Sequence, residues 1–350
     1  MAADTSVSTL PNRFKRPSVI GLIGMILVAG VVLLLIKEFF VSPSQFVQTT
    51  LIGVTTGCVY ALIALGYTLV YGILELINFA HGDVFMLGGM FAITFGTHFF
   101  NMHSGQGIAL IPIVLATMIL AMAACGAINV GIEFVAYRPL RNAPRLAPLI
   151  TAIGMSFIIQ DVGLAWKGPE YVIAPDVFPH SDVFNIGGVE YPWNHMIVVL
   201  ITTPVLLLLL YLVQKTRQGK AMRATAQDKD AAAIMGINVN RTISFTFLIA
   251  GALAGAAGTL YALWATSVRF DQGFQLGLIS FTAAVLGGIG NLPGAVLGAI
   301  LIGLIQAWNE GLPWHMPGSD WTESIVFAIL ILILIFRPEG LLGERTPEGG

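Results

Sequence analysis

The sequence predicts an all-α integral membrane protein, a polytopic helical bundle of about eight full transmembrane helices plus a broken or re-entrant helical hairpin. Of its 350 residues, 56% are hydrophobic and 10% are charged, against about 25% charged in an average soluble domain. Several uncharged runs reach the roughly 18 to 20 residues that a helix needs to cross a bilayer. Backbone groups in lipid have no water to bond, and barrel-like alternation is absent, so each crossing is expected to be helical.

The apolar runs predict the positions of these crossings. They lie near residues 19–37, 46–71, 84–100, 108–136, 147–166, 195–213, 241–265 and 321–336. Residues 1–18 form a basic tail, and 19–45 form an extra N-terminal helix with an external turn. Because the apolar run after the tail is long and no small-residue cleavage site follows it, an uncleaved helix is expected rather than a signal peptide.

Two shorter apolar segments, near 276–289 and 294–310, precede the last crossing. The residues between and beside them are Gly287, Gly288, Gly290, Pro293 and Gly294. One interpretation is a broken or re-entrant hairpin inside the bundle near a pathway, since non-helical backbone at membrane depth needs cover from protein or a water-filled cavity. The other is a plain cytoplasmic turn between two short helices.

Glycine pairs four residues apart occur at Gly53 and Gly57, Gly251 and Gly255, and Gly294 and Gly298. This spacing lets helix backbones approach closely. The pairs predict tight packing inside the chain, with a subunit interface as the alternative.

The placement of basic residues predicts the orientation. With both termini cytoplasmic, every lysine and arginine except Lys37, Lys167 and Arg269 lies inside, as the positive-inside rule requires. The segment 167–194 is then periplasmic, where it caps the outer mouth, touches an external protein or is a solvated connection. Residues 338–350 form a cytoplasmic tail. The net charge of −2 favours no nucleic acid partner.

The segment from Gln214 to Arg241 interrupts two long uncharged runs. It carries Lys215, Arg217, Lys220, Arg223, Lys229 and Arg241 against Asp228 and Asp230. We expect a cytoplasmic loop that a soluble protein can contact, with a helix in its alanine-rich stretch Ala221–Met235. In the alternative interpretation the basic charges only fix the orientation and touch anionic membrane lipid.

Polar residues in or near the membrane are costly and are candidates for a function. The densest group is Glu75, Asn78, His81 and Asp83, interpreted as part of a gate or pathway or as a hydrogen-bonded turn. Asp161 is a further candidate for substrate contact, with snorkelling as its alternative. For Glu133 we expect snorkelling or a salt bridge with Arg138.

Signatures of enzymes are missing from the sequence. It contains no Walker A loop, His-Glu-x-x-His or Gly-x-Ser-x-Gly, and Cys58 and Cys125 fall in apolar runs without metal-ligand spacing. We expect no enzyme, no metal and no nucleotide site in this chain. Few charges lie in the apolar runs, which disfavours a proton-driven or sodium-driven carrier. A stand-alone secondary carrier or channel and a membrane enzyme are the rival classes.

Four segments carry a resemblance to a known family. They are YALIALGYTLVYGILELINFAHGDVFMLGG (Tyr60–Gly89), AYRPLRNAPRLAPLITAIGMSFIIQ (Ala136–Gln160), RATAQDKDAAAIMGINVNRTISFTFLIAGALAGAAG (Arg223–Gly258) and FTAAVLGGIGNLPGAVLGA (Phe281–Ala299). The chain resembles the LivH-type inner-membrane permeases of branched-chain amino acid ABC importers, with residues 46–337 as the permease domain. A related branch for urea or short amides looks similar over the same segments.

The resemblance implies a transport subunit of a bacterial inner-membrane importer. It would pair with a second related permease, two cytoplasmic ABC ATPase subunits and a periplasmic amino acid binding protein. ATP and Mg would bind to the partner subunits, and this chain would bind no cofactor. The 214–241 loop would hold the coupling helix, with docking residues in Asp228–Gly236. The candidate coupling residues are Lys220, Arg223, Asp228, Lys229 and Gly236.

Overall fold

The computed structural model of the chain describes residues 19–102, 111–141, 143–144, 146–177, 181–312 and 318–343. The predicted tail at 1–18, Arg145 and residues 344–350 of the predicted C-terminal tail lie outside the described residues. The chain divides into two compact units at Pro43. Helix α1, Val19–Val41, belongs to the first unit. The second unit begins at Ser44 and contains the helical bundle.

Eleven further helices form the described part of the bundle. They are α2 Pro43–Leu74, α3 Ala80–Phe99, α4 Ile111–Ile132, α5 Leu146–Lys167, α6 Trp193–Lys215, α7 Arg217–Gln227, α8 Lys229–Ile234, α9 Val239–Ala265, α10 Gln272–Gly287, α11 Leu292–Gly311 and α12 Thr322–Phe336. Four short strands accompany them: β1 Val172–Ile173, β2 Asp182–Ile186, β3 Val189–Pro192 and β4 Ser267–Val268.

Seven helical stretches of the described chain are long and apolar enough to cross a membrane. They are α2, α4 with the turns that continue it to Leu140, α5, α6, α9, α11, and α12 with the turn that precedes it from Gly318. All eight predicted crossings fall on helices, which confirms the polytopic helical class. The exact count of crossings and the cytoplasmic termini stay predictions.

Helices α3, α4 and α9 meet through glycine. A Cβ added at Gly88 of α3 would lie 2.8 Å from the Cα of Gly255 in α9, and one added at Gly255 would lie 2.7 Å from the carbonyl oxygen of Ala121 in α4. These distances are below ordinary van der Waals separation. The three backbones therefore touch at a point where no side chain fits between them.

The other predicted glycine pairs also face helices of this chain. A Cβ at Gly57 of α2 would lie 2.7 Å from the Cα of Ile300 in α11, and one at Gly298 of α11 would lie 2.7 Å from the nitrogen of Gly287 in α10. The interpretation of these pairs as internal packing is confirmed.

Helices α10 and α11 form the predicted hairpin. Its turn passes through Gly288 and Gly290, whose φ angles of 106° and 98° favour glycine. The C-terminal segment packs back on this turn, since Leu341 N donates to Leu286 O at 2.8 Å.

One expectation about the hairpin is wrong. Helix α11 has 20 residues, so it is not too short for a crossing, whereas α10 has 16. The helix continues past its apolar run because polar side chains at its end bond the start of α12. Asn309 Nδ2 donates to Thr322 Oγ1 at 3.1 Å, and Thr322 Oγ1 donates to Glu310 Oε1 at 2.9 Å.

The predicted external segment is ordered by strands. β1 pairs antiparallel with β4, with Val172 opposite Val268, and β2 and β3 form a hairpin. The hydroxyls of Tyr191 in β3 and Thr55 in α2 are hydrogen-bonded at 2.8 Å. The segment is thereby fixed to α2 and to the end of α9, and its role as a cap or protein contact stays a prediction.

Substituting Gly255 tests the contact between the helix backbones. Gly255→Ala places a methyl group against α4, and overpacking of this kind costs roughly 1 to 3 kcal/mol. We expect a lower thermal unfolding midpoint for the protein in detergent. Gly131→Ala in α4 is the matched control, because no atom lies within 4 Å of its added Cβ. Equal midpoints for the two variants would contradict the proposed packing.

Candidate functional site

The predicted basic loop folds into α7 and α8 between the longer helices α6 and α9. Thr216, Asp228 and Asn238 stand at the N-terminal ends of α7, α8 and α9, and each side chain accepts hydrogen bonds from first-turn N–H groups at 2.9 to 3.0 Å. Such caps satisfy backbone donors that lack a partner within the helix. The loop is therefore a defined pair of short helices.

The outer surface of this loop is exposed. The exposed positions include every candidate coupling residue: Lys220, Arg223, Asp228, Lys229 and Gly236. Between them Ile234 and Met235 are 85% and 82% exposed, and Gly236 follows with a φ of 84°. An exposed apolar pair within a polar segment is typical of a protein contact. Sequence reasoning did not single out these two residues, although their position among charged residues was visible.

The inner surface of α7 packs against the bundle. Met222 and Thr225 are buried, and the Arg223 guanidinium donates to the carbonyl of Val213 near the end of α6. A displacement of α7 would therefore act directly on α6, and through α8 on α9.

A polar cluster joins the beginning of α9 to the end of α4. Glu133 lies in a π-turn after α4 and is fully buried. Its carboxylate accepts from the Ser244 hydroxyl at 2.7 Å and from the Arg141 guanidinium, which also donates to Asn240. Burial lowers the pKa of Arg141, against the effect of the nearby Glu133 carboxylate.

The expected salt bridge between Glu133 and Arg138 is wrong. Arg138 lies over the Phe134 ring, 5.2 Å from its centroid, and Arg141 takes the carboxylate instead. The cause is the change from a π-turn to a 3₁₀ turn over residues 133–140, which alters the spacing of side chains around the helix axis.

A second network begins at the entry to α3. The Tyr137 hydroxyl donates to Asn78 Oδ1 at 3.0 Å, and Asn78 Nδ2 donates to Asn129 Oδ1 at 3.4 Å. Asn129 Nδ2 in turn donates to the carbonyl of Phe247 in α9 at 2.7 Å. Asn78 and Asn129 are buried, so these bonds connect α3, α4 and α9 without solvent.

His81 and Asp83 lie fully buried in α3. The His81 ring is 4.9 Å from the Tyr67 ring, edge to face. Neither ring nitrogen has a hydrogen bond of ordinary geometry among the described residues, although the backbone of Ile63 is near. Asp83 accepts from the Ser156 hydroxyl of α5, and Gln160 Nε2 donates to the same hydroxyl at 3.3 Å.

Glu75 and Asp161 do not join this group. Glu75 is exposed and ends α2 in the left-handed conformation, with a φ of 57°. Asp161 is exposed on α5, whereas its neighbour Gln160 turns inward. The structure thus brings together Asn78, His81 and Asp83 with residues that the sequence did not indicate: Asn129, Tyr137, Ser156 and Gln160. A role in a gate or pathway stays a prediction for all of them.

No group of three or more histidine, cysteine, aspartate or glutamate side chains among the described residues is arranged to hold a metal ion. The buried polar groups above are instead bonded mainly to neutral partners. Their arrangement is suited to holding helices in register.

The hairpin turn adjoins a cavity of about 560 Å³ between the ends of α2, α6 and α7. Of the five predicted hairpin residues, Gly290 and Pro293 line this cavity. Gly287 and Gly294 pack against each other, and Gly288 packs against Gly343 of the C-terminal segment. The turn therefore lies next to the basic loop.

Comparison with known proteins identifies the family. Residues 49–335 match the family model described as "Branched-chain amino acid transport system / permease component". The chain belongs to this family. The resemblance predicted from the sequence is thus confirmed, and the permease is a transport component and a multi-pass membrane protein.

Curated relatives cover the permease over most of its length. The high-affinity branched-chain amino acid transport system permease protein BraD of Pseudomonas aeruginosa is 38% identical over 308 residues, which is 87% of this chain and 98% of the relative. LivH of Escherichia coli K12 is 37% identical over 309 residues, 87% and 97% of the two chains. The fructose import permease FrcC of Rhizobium meliloti is 25% identical over 54% of each chain. No solved structure matches the chain significantly.

Removing Arg141 tests the buried carboxylate of the permease. Arg141→Met leaves the Glu133 charge without its counter-charge, which costs roughly 3 to 5 kcal/mol for a buried pair. We expect a large loss of folded monodisperse protein after heating, measured by size-exclusion chromatography.

The double variant Glu133→Gln with Arg141→Met should recover much of the loss, because no charge is then left buried. Arg138→Met is the matched control and should behave as the wild type. If Arg138→Met were as damaging as Arg141→Met, the assignment of the ion pair would be wrong.

Proposed function

We propose that the permease is the transmembrane subunit of an ATP-driven ABC importer for branched-chain and other hydrophobic amino acids. The observation that carries this proposal is the family match over residues 49–335. It is supported by two relatives at 37–38% identity whose names specify branched-chain amino acid transport. The urea or amide alternative has no comparable support, and the fructose relative aligns with little more than half of the chain.

The proposed orientation has both termini in the cytoplasm of a bacterial cell, within the inner membrane. It follows from the distribution of lysine and arginine along the sequence. The 214–241 loop is then a cytoplasmic coupling loop, and 167–194 is a periplasmic segment. Residues 46–337 form the permease domain, and α1 is an additional helix before it.

The partners follow from the same proposal. They are a second related permease, two cytoplasmic ABC ATPase subunits that bind ATP and Mg, a periplasmic amino acid binding protein, and membrane lipid. This chain would then need neither a cofactor nor a nucleotide site of its own. A ligand or partner shifts a transporter between states only by binding one state more tightly, so ATP binding and hydrolysis on the partners set the direction.

The coupling step follows from the geometry of the loop. The exposed Ile234 and Met235 would insert into a pocket of an ATPase subunit, with Lys220 and Lys229 beside them on the basic surface. Motion of α7 and α8 would pull on α6 through Arg223 and on α9 through the loop that precedes it. Because α9 packs backbone to backbone on α3 and α4, this motion would reorient the central helices together.

Reconstitution tests the proposed function. The permease assembled with its partner subunits in liposomes should accumulate L-leucine when ATP and the binding protein are supplied. Excess urea should not compete, because an apolar pocket gives it little binding energy. Accumulation of leucine by the permease alone would instead establish a stand-alone carrier.

Substituting the apolar pair tests the docking step. Ile234→Ser with Met235→Ser removes two side chains whose burial is worth about 1.5 to 3 kcal/mol each. We expect at least a tenfold weaker association with the ATPase subunits, measured by co-purification and by ATPase activity.

The matched control is Ile186→Ser on β2, an equally apolar position that is 73% exposed and lies in the proposed periplasmic segment. Gly236→Val should also weaken docking, since a β-branched residue is strained at a positive φ. Normal ATPase association in both loop variants would remove the docking surface from the proposal.

A further inference from the structure

The cavity beside the hairpin turn has the composition of a small-molecule site. Its volume of about 560 Å³ falls in the range of roughly 300 to 1,000 Å³ that is usual for ligand pockets. Apolar side chains from three elements line it, among them Leu69, Ile73 and Met222. A few polar groups converge on the same space, as they do in sites that orient a ligand.

Thr68 of α2 is the most informative of these groups. It is 1% exposed, and its hydroxyl has no hydrogen-bond partner among the described residues. Thr55 and Thr56 of the same helix each donate to the carbonyl four residues before them at 3.1 Å. Because Thr68 makes no such bond and lines the cavity, its hydroxyl is available to a ligand. A buried polar group without a partner is costly unless something binds it.

The opposite wall favours a carboxylate. It contains Ile289–Pro293, which lead into the N-terminal end of the 20-residue helix α11. Helix N-termini carry a partial positive charge and attract anions, and interrupted helices in transporters use them to bind substrate carboxylates. Arg223 lines the same space, and no aspartate or glutamate is among the described residues that line it.

We infer that this cavity is a binding site for a free amino acid with an apolar side chain, on the inner side of the permease. The carboxylate faces the α11 N-terminus and Arg223, the ammonium group donates to the Thr68 hydroxyl, and the aliphatic side chain packs against Leu69, Ile73 and Met222. The inference rests on the proposed function, which supplies the orientation and the substrate class.

The position of the cavity favours an amino acid over a lipid. Its floor is α2, of which 89% of the apolar stretch is buried inside the bundle, against 22% for α5 and 11% for the stretch that includes α12. A lipid would meet the exposed helices first. The cavity also lies between α7 of the coupling loop and the hairpin turn, so a bound amino acid would bridge two elements that the proposed coupling motion separates.

Equilibrium binding of radiolabelled L-leucine tests this site. The probe is added to the assembled importer, without its binding protein, in nanodiscs of zwitterionic lipid. We expect saturable binding with one leucine per copy of this chain. Leucinol, which lacks the carboxylate, and 4-methylpentanoate, which lacks the ammonium group, should each compete about tenfold more weakly or worse, because each loses a charge-assisted hydrogen bond.

Two variants assign the binding to this cavity. Thr68→Val is isosteric and should weaken leucine binding roughly 3-fold to 10-fold. Gly72→Phe should abolish it by filling the space, since a Cβ at Gly72 meets only the Cα of Gly290, at 3.9 Å. The matched control is Thr202→Val in α6, another fully buried threonine without a hydroxyl partner in the described chain, which lies outside the cavity and should bind leucine as the wild type does.

The outcomes separate this inference from the proposed function. An importer that transports leucine with its binding protein but binds none without it, or that binds equally in Thr68→Val and wild type, overturns the site and leaves the function intact. Loss of leucine binding when anionic lipid is added assigns the cavity to lipid and also overturns the site. Failure of transport with all partners present contradicts the proposed function itself.

Discussion

Direct contact between helix backbones at glycine is the constraint on which the bundle depends. At Gly251 of α9 an added Cβ would lie 2.6 Å from the Cβ of Asn129 in α4. The Asn129 amide reaches the Phe247 carbonyl at 2.7 Å because no side chain at Gly251 separates the two helices. Close packing and the buried polar network are therefore one feature. Lipid offers no hydrophobic gain for helix association, so van der Waals contact and interhelical hydrogen bonds have to supply it.

The same central helices connect to the surface loop through polar contacts at one end. Asn238 caps α9, and the next turns hold Asn240 and Ser244 against Arg141 and Glu133. Above that end the interior is almost entirely apolar and tightly packed. A force applied at α8 is thus transmitted to a rigid core through a few charge-assisted bonds, which are stronger and more directional than apolar contacts. This arrangement suits a subunit that is moved by another protein.

Polar groups left without partners mark where the packing is incomplete. Asp83 Oδ1 and the Thr68 hydroxyl are both buried without a hydrogen bond among the described residues, yet their surroundings differ. Asp83 lies between α3 and α5 with Ser156 and Gln160 around it, whereas Thr68 lines an open space next to the hairpin turn. The first is suited to holding helices in place, and the second to binding a molecule that comes and goes.

The sequence by itself determined the helical class, the family, the basic loop with its capping residues, and the hairpin, because hydropathy, charge and turn chemistry are local properties of the chain. It could not determine which side chains meet. Gln160 and Asp161 are adjacent and equally polar, but they point about 100° apart around α5, and only the position of α3 decides that Gln160 faces Asp83's partner. Likewise only the π-turn after α4 gives Glu133 to Arg141 rather than Arg138. Such pairings depend on the positions of neighbouring helices, which side-chain volume and backbone contact set in three dimensions.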